Sequence, residues 1–109
     1  MADKPELLPG TLDLLILKTL TRAPRHGYGI AQAIKRLSDD VLTVEEGSLY
    51  PALQRLLLRG WVQGEWKMTE TNRRARFYTL TTAGRKQLGI EITELERMIA
   101  AIGRVLQNA

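Results

Sequence analysis

Apolar residues recur at helical spacing in three stretches before residue 60, lose that period between 61 and 80, and return as one long stripe towards the end of the chain. Leu12, Leu15, Ile16 and Leu20 mark the first stretch. Pro9-Gly10-Thr11 opens it and Ala23-Pro24-Arg25 ends it, which predicts a helix over residues 11–22. His26-Gly27-Tyr28-Gly29 opens a second helix, in which Ile30, Ile34 and Leu37 keep the period until Ser38-Asp39-Asp40 stops it. A short apolar link over 41–44 and then Glu45-Glu46-Gly47-Ser48 precede a third helix, marked by Leu49, Leu53, Leu56 and Leu57 and ending near Arg59, with Gly60 as its stop. Ser48 is the expected N-cap, because that start puts Pro51 in the first turn, where its missing N–H has no intrahelical partner to lose.

Residues 61–67 and 75–80 mix aromatic, β-branched and polar side chains without a helical period, which predicts two strands. Thr69-Glu70-Thr71-Asn72-Arg73 between them is turn-forming, so the pair reads as an antiparallel hairpin with an exposed, basic-flanked tip. Thr81 then caps a final helix running to about Leu106. Along it Leu88, Ile92, Leu95, Ile99, Ile102 and Leu106 alternate in steps of four and three, the spacing of a heptad seam. A helix over 82–106 is roughly 37 Å long at 1.5 Å per residue, more than a small body can cover. The six stripe residues are therefore expected to form a homodimer interface, with residues 82–109 as a dimerisation helix and residues 1–81 as the domain that it joins. Gly89 and Gly103 each cost that helix about 1 kcal/mol relative to Ala, so its later part is the weaker.

Three helices followed by a hairpin and a further helix is a winged helix-turn-helix order: a mainly α fold with a small β-hairpin. Charge sharpens this reading. Of the formal net charge of +4, residues 47–90 carry eight bases against two acids, while the flanking segments each come out slightly negative. A confined basic region is the footprint of a polyanion binder, and it falls on the two elements that a winged helix presents to DNA. On the third helix Ser48, Tyr50 and Gln54 are placed for base edges or flanking phosphates, and Arg55 either joins them or pairs internally. Around the hairpin Lys67, Arg73, Arg74 and Arg76 are expected to neutralise phosphates. Tyr28 has two readings, a core residue with its hydroxyl at the surface or a phosphate contact. The expected duplex is pseudo-palindromic, with half-sites about 34 Å apart.

A chain of 109 residues is long enough for one core only, and its 44% hydrophobic and 26% charged content is that of a folded domain. With no cysteine and one histidine, His26, neither a disulfide nor a His/Cys metal cluster can form, and no cofactor is expected. No apolar run is long enough to span a bilayer, and the first ten residues lack a signal-peptide pattern, which suits a cytoplasmic protein. Asp39-Asp40 and Glu45-Glu46 read as solvated loop residues and an acidic helix start, without the spacing of a cation loop. Ser48, His26 and Asp39 lack the turn and oxyanion donors of a nucleophilic triad. Gly27 and Gly29 make no phosphate-binding loop. Trp61 and Trp66 read as core or interface aromatics, or as a ligand platform.

Leu8-Pro9-Gly10-Thr11-Leu12 with Leu15-Ile16-Leu17, His26-Gly27-Tyr28, and Gly47-Ser48-Leu49-Tyr50-Pro51-Ala52-Leu53 with Arg55-Leu56 form an ordered series along the chain. Gly60-Trp61, Arg76-Phe77-Tyr78-Thr79-Leu80-Thr81 and Ala83-Gly84 continue it. In this order and spacing the chain resembles the PadR-like family of transcriptional regulators, in its short form with one C-terminal helix. Phe77 departs from a frequent Tyr. The resemblance implies a winged-helix domain with a dimerising C-terminal helix, and a regulator, usually a repressor, with double-stranded DNA as its partner. It also implies, for some members, release from DNA by a small aromatic or amphipathic effector. The alternative is a winged helix that binds proteins and no DNA; an enzyme is not expected.

Overall fold

Every helix of the protein contributes to one core, with Ile16, Leu17, Ile30, Leu49, Leu53 and Leu56 its largest fully buried side chains. The structure, a computed structural model, describes residues 10–109. Leu8 and Pro9 of the opening motif, and most of the segment read as lacking a signal peptide, lie outside the described residues.

The elements run α1 (Thr11–Thr19), β1 (Arg25–His26), α2 (Gly27–Leu37), α3 (Glu46–Leu58), β2 (Val62–Met68), β3 (Arg74–Leu80) and α4 (Thr82–Asn108). The winged helix-turn-helix order is thus as expected, and the differences lie at element ends. Helix α1 stops about a turn before Arg22. Its last carbonyls are taken by side chains instead: the Thr19 and Thr21 hydroxyls donate to the Ile16 and Lys18 carbonyls at 2.8 Å, and Arg25 Nε donates to the Thr19 carbonyl at 2.9 Å.

Helix α3 starts earlier than Ser48. Glu45 stands at the N-cap without a side-chain bond, and its carbonyl accepts from the amides of Ser48 and Leu49. Ser48 is therefore inside the helix and not its cap. Pro51 falls in the second turn, where it leaves the exposed Gly47 carbonyl without its usual i+4 donor. The end of α3 matches expectation: Gly60, at φ 75°, donates to the Leu57 carbonyl and Trp61 to the Leu56 carbonyl, a Schellman closure that favours a residue without Cβ.

The sheet has three strands in the order β1-β3-β2. The hairpin was legible; β1 was not. Its two residues pair with β3, Arg25 opposite Tyr78 and His26 opposite Phe77, in a stretch that otherwise reads as a helix end. At the hairpin tip the Thr69 amide donates to the Arg73 carbonyl at 2.7 Å, the Asn72 amide to the Thr69 carbonyl at 2.9 Å, and Asn72 takes a left-handed conformation, which Asn tolerates.

Thr81 caps α4 as expected. Its hydroxyl accepts from the Gly84 amide at 3.0 Å and donates to the Gly60 carbonyl at 2.7 Å, so one side chain joins the end of α3 to the start of α4. Gly84 is buried against the Trp61 carbonyl, where any Cβ would collide with backbone. From there α4 runs along α1. Leu88 is part of the core and Ile92 and Leu95 pack against it, whereas Ile99, Ile102 and Leu106 are exposed at 59%, 49% and 77%. The stripe read from the sequence is thus divided, its first half spent within the domain and its second half open.

Candidate nucleic-acid interface

Helix α3 has two unlike faces. Leu49, Ala52, Leu53 and Leu56 are buried against α1 and the sheet, while Ser48, Tyr50 and Gln54 stand on the exposed side. The spacing alone causes this, because residues three and four apart share a face. The Tyr50 ring packs over Gly27 at the start of α2, which fixes the angle of its exposed edge. Arg55 is on the same helix, but its guanidinium binds the Asp13 carboxylate of α1 at 2.8 Å. Of its two readings, internal pairing is the one observed.

Tyr28, at the start of α2, is 66% exposed and is no core residue; its hydroxyl accepts from Gln32 Nε2 at 2.8 Å. An open cleft of about 470 Å³ separates it from Tyr50, lined also by Ala31, Val44, Glu45 and Leu49. The cleft lies between the start of α2 and the start of α3, which comes earlier than local signals around Ser48 and Pro51 indicate. His26 is occupied as a helix cap. Its Nδ1 accepts from the Gly29 amide at 3.0 Å, and its ring meets Phe77 edge-on at 5.0 Å. Among the described residues no group of three His, Cys, Asp or Glu is placed to hold a metal ion. Asp39 and Asp40 form an exposed turn in left-handed conformations.

The hairpin carries the expected bases, held by aromatic rings. Arg74 lies over the Trp66 ring at 5.0 Å, Lys67 over Phe77 at 5.8 Å and Arg76 over Tyr78 at 6.0 Å. Arg73 is exposed beside the tip. The four differ in freedom: Arg76 is half-buried, its side chain laid across Gly64 and its Nε without a partner. Among the described residues the ion pairs are Arg55–Asp13 and Arg97–Glu94, so no acid neutralises these hairpin bases. Burial holds the Tyr78 phenol above its ordinary pKa of 10.0, with Arg76 pulling it down and Tyr50 pushing it up. Trp61 is half-buried under Arg59, but Trp66 is 57% exposed on the hairpin and belongs to no core.

A three-helix body whose third helix turns a polar face outward beside a basic hairpin is a DNA-binding winged helix. The transcriptional regulator PadR-like family model matches residues 16–90, and the chain belongs to that family. It is a transcriptional regulator and not an enzyme. Among solved structures it is similar to a transcriptional regulator from Clostridium thermocellum, with 28% identity, a TM-score of 0.80, and coverage of 87% of this chain and 92% of that one. It shares its fold with Bacillus subtilis PadR, solved in complex with operator DNA, at 24% identity and a TM-score of 0.67 over 75% of this chain and 47% of that one. An uncharacterised 37.1 kDa protein of a Streptomyces fradiae transposon is 38% identical over 96 residues, 88% of this chain; the chain spans 25% of that protein's length. Among the described residues no helix is long and apolar enough to cross a membrane.

Proposed function

We propose that the protein acts in the cytoplasm as a homodimeric repressor that binds a pseudo-palindromic operator. One α3 per subunit enters each of two successive major grooves, and residues 82–109 join the subunits. The observation that carries this is the two-faced α3 beside a hairpin whose bases form no ion pair among the described residues. That Bacillus subtilis PadR was solved on operator DNA supports the same partner here. Ser48, Tyr50 and Gln54 face base edges or flanking phosphates, Tyr28 contacts the backbone from α2, and Lys67, Arg73, Arg74 and Arg76 neutralise phosphates. Arg55 serves through its Asp13 bond, by holding α3 on α1.

Ile99, Ile102 and Leu106 supply the exposed part of the dimer seam. A small aromatic or amphipathic effector fits where the apolar faces of two such helices meet the body, and Trp61, whose carbonyl backs the first turn of α4, is the nearer aromatic platform. The test is a gel shift of the pure protein on its own upstream region with excess nonspecific duplex. Gln54→Ala lowers the preference for operator by about 5- to 150-fold if Gln54 reads adenine bidentately. Arg73→Ala weakens every sequence alike and lowers the salt slope by about 0.9. Wild-type protein that binds every duplex alike overturns the operator reading, and protein that shifts no duplex leaves a protein-binding module.

A further inference from the structure

The start of α3 is acidic, although the hairpin beside it is basic. Glu45 and Glu46 are exposed and form no ion pair among the described residues, and Glu45 stands at the N-cap without a side-chain bond, so no capping bond accounts for its carboxylate. Both line the open cleft of about 470 Å³ between the starts of α2 and α3, a volume in the range that takes a small molecule. Its deeper side is apolar: Leu49 is buried, and Ala31 and Val44 are half-buried. Its two aromatic residues are held in place, Tyr28 by the bond from Gln32 to its hydroxyl and Tyr50 by its seat over Gly27. Each helix N-terminus brings about half a positive elementary charge, roughly +1 for α2 and α3 together, against two carboxylates, which leaves the cleft at about −1. That sign disfavours a phosphate and favours a cation. Tyrosine rings and carboxylates around an apolar floor are the surroundings that hold a substituted ammonium.

We propose that this cleft binds a small organic cation, an ammonium group on an apolar or aromatic body, and that the bound cation strengthens the hold of the protein on DNA. The site is separate from the α4 seam, and its effect on DNA rests on the α3 reading above. Glu45 and Glu46 open the helix that carries Ser48, Tyr50 and Gln54, so their charges oppose the phosphates that flank the groove. A cation seated beside them offsets that repulsion and adds no contact to a base, so it raises affinity for operator and random duplex alike. Linkage makes the effect reciprocal: duplex raises the affinity for the cation by the same factor. The cation is thus a corepressor, and DNA is held most tightly when it is abundant.

The probe is benzyltrimethylammonium, with benzyl alcohol as its neutral counterpart and benzoate as the anionic one, titrated into the ¹⁵N-labelled full chain. The cation should saturate one site and shift the amides of Ala31, Val44 and Gly47, benzyl alcohol should bind at least about fivefold more weakly, and benzoate should leave these amides unmoved. Tyr28→Leu should weaken the cation about two- to fivefold and Tyr28→Phe should restore it, because the ring and not the hydroxyl meets the charge. Glu45→Gln with Glu46→Gln should weaken it at least about fivefold. On DNA, saturating cation should tighten binding about fivefold over sodium chloride at equal ionic strength. The paired Gln variant should bind duplex more tightly than the wild type without the cation and lose the response to it. Benzoate or inorganic phosphate held in preference to the cation, shifts confined to other amides, or a cation that loosens DNA or leaves its affinity unchanged overturns the proposal alone. A protein that shifts no duplex overturns the DNA reading and the corepressor role with it, while the amide titration still decides the cation site.

Discussion

The body of the domain and the second half of α4 carry the same kinds of aliphatic residue at the same helical spacing, with opposite fates. In the body Ile16, Leu17, Ile30 and Leu56 have no exposed surface, whereas Ile99, Ile102 and Leu106 keep about half or more of theirs. Periodicity therefore identifies a face that must be covered, and says nothing of what covers it. The body's stripes meet one another because α1, α2 and α3 pack mutually. Helix α4 leaves that body after Leu95, on a molecule 55 Å in its longest dimension, and among the described residues its remaining large apolar side chains stay exposed.

Charging the open part of the seam should break this comparison most visibly. Ile99→Glu with Ile102→Glu removes four apolar side chains from a two-fold interface, each worth about 1.5–3 kcal/mol when buried. Sedimentation at micromolar concentration should therefore change from dimer to monomer while the body stays folded. Ile102 is a better companion to Ile99 than Leu95, because Leu95 packs against the body's own core and a charge there would confuse dissociation with unfolding. An unmodified protein that sediments as a monomer would disprove the interface.

Leu17→Ala probes the other region. It leaves a cavity at a side chain with no exposed surface and should cost about 2–5 kcal/mol in denaturant unfolding. The same truncation at the exposed Leu106 should leave the unfolding of a dissociated monomer within about 0.5 kcal/mol of its parent. Similar costs at both positions would mean that the end of α4 is packed on its own body.

The smallest effect is a pH dependence where the hairpin joins the body. Burial raises the folded-state pKa of Tyr78 above the 10.0 of an exposed phenol, so the folded protein holds that proton more tightly than the unfolded chain. The associated stability is complete below about pH 10 and is lost as pH rises through the folded value. Tyr78→Phe should flatten this alkaline decline in a comparison of melting temperatures between pH 9 and pH 11. An identical decline in both proteins would remove Tyr78 as its source.

Much of the candidate interface's geometry was legible in the chain because its signals are local. The leucine spacing in α3 already assigns Ser48, Tyr50 and Gln54 to the outer face, and Lys67, Arg73, Arg74 and Arg76 stand where two β-rich runs and a turn make a hairpin. Gly60 and Thr81 mark their helix ends because each acts on backbone groups within a few residues. These features depend on near neighbours, and near neighbours are what a sequence states directly.

Tertiary structure decided whatever depends on partners far along the chain. Strand β1 exists because β3 offers it two rungs more than 50 positions away, and no two-residue segment can announce that by itself. Arg55 was free to reach DNA or pair internally until the fold brought Asp13 across 42 positions to 2.8 Å. Helix α3 began a turn before Ser48, and Leu88 went inward while Ile99 stayed out, because the packing of α1 and α4 on the body set where each helix met its neighbours. Caps, turns and periods are energies of adjacent residues; pairing, ion partners and the division of the α4 stripe are energies of contacts that exist only once the chain has closed.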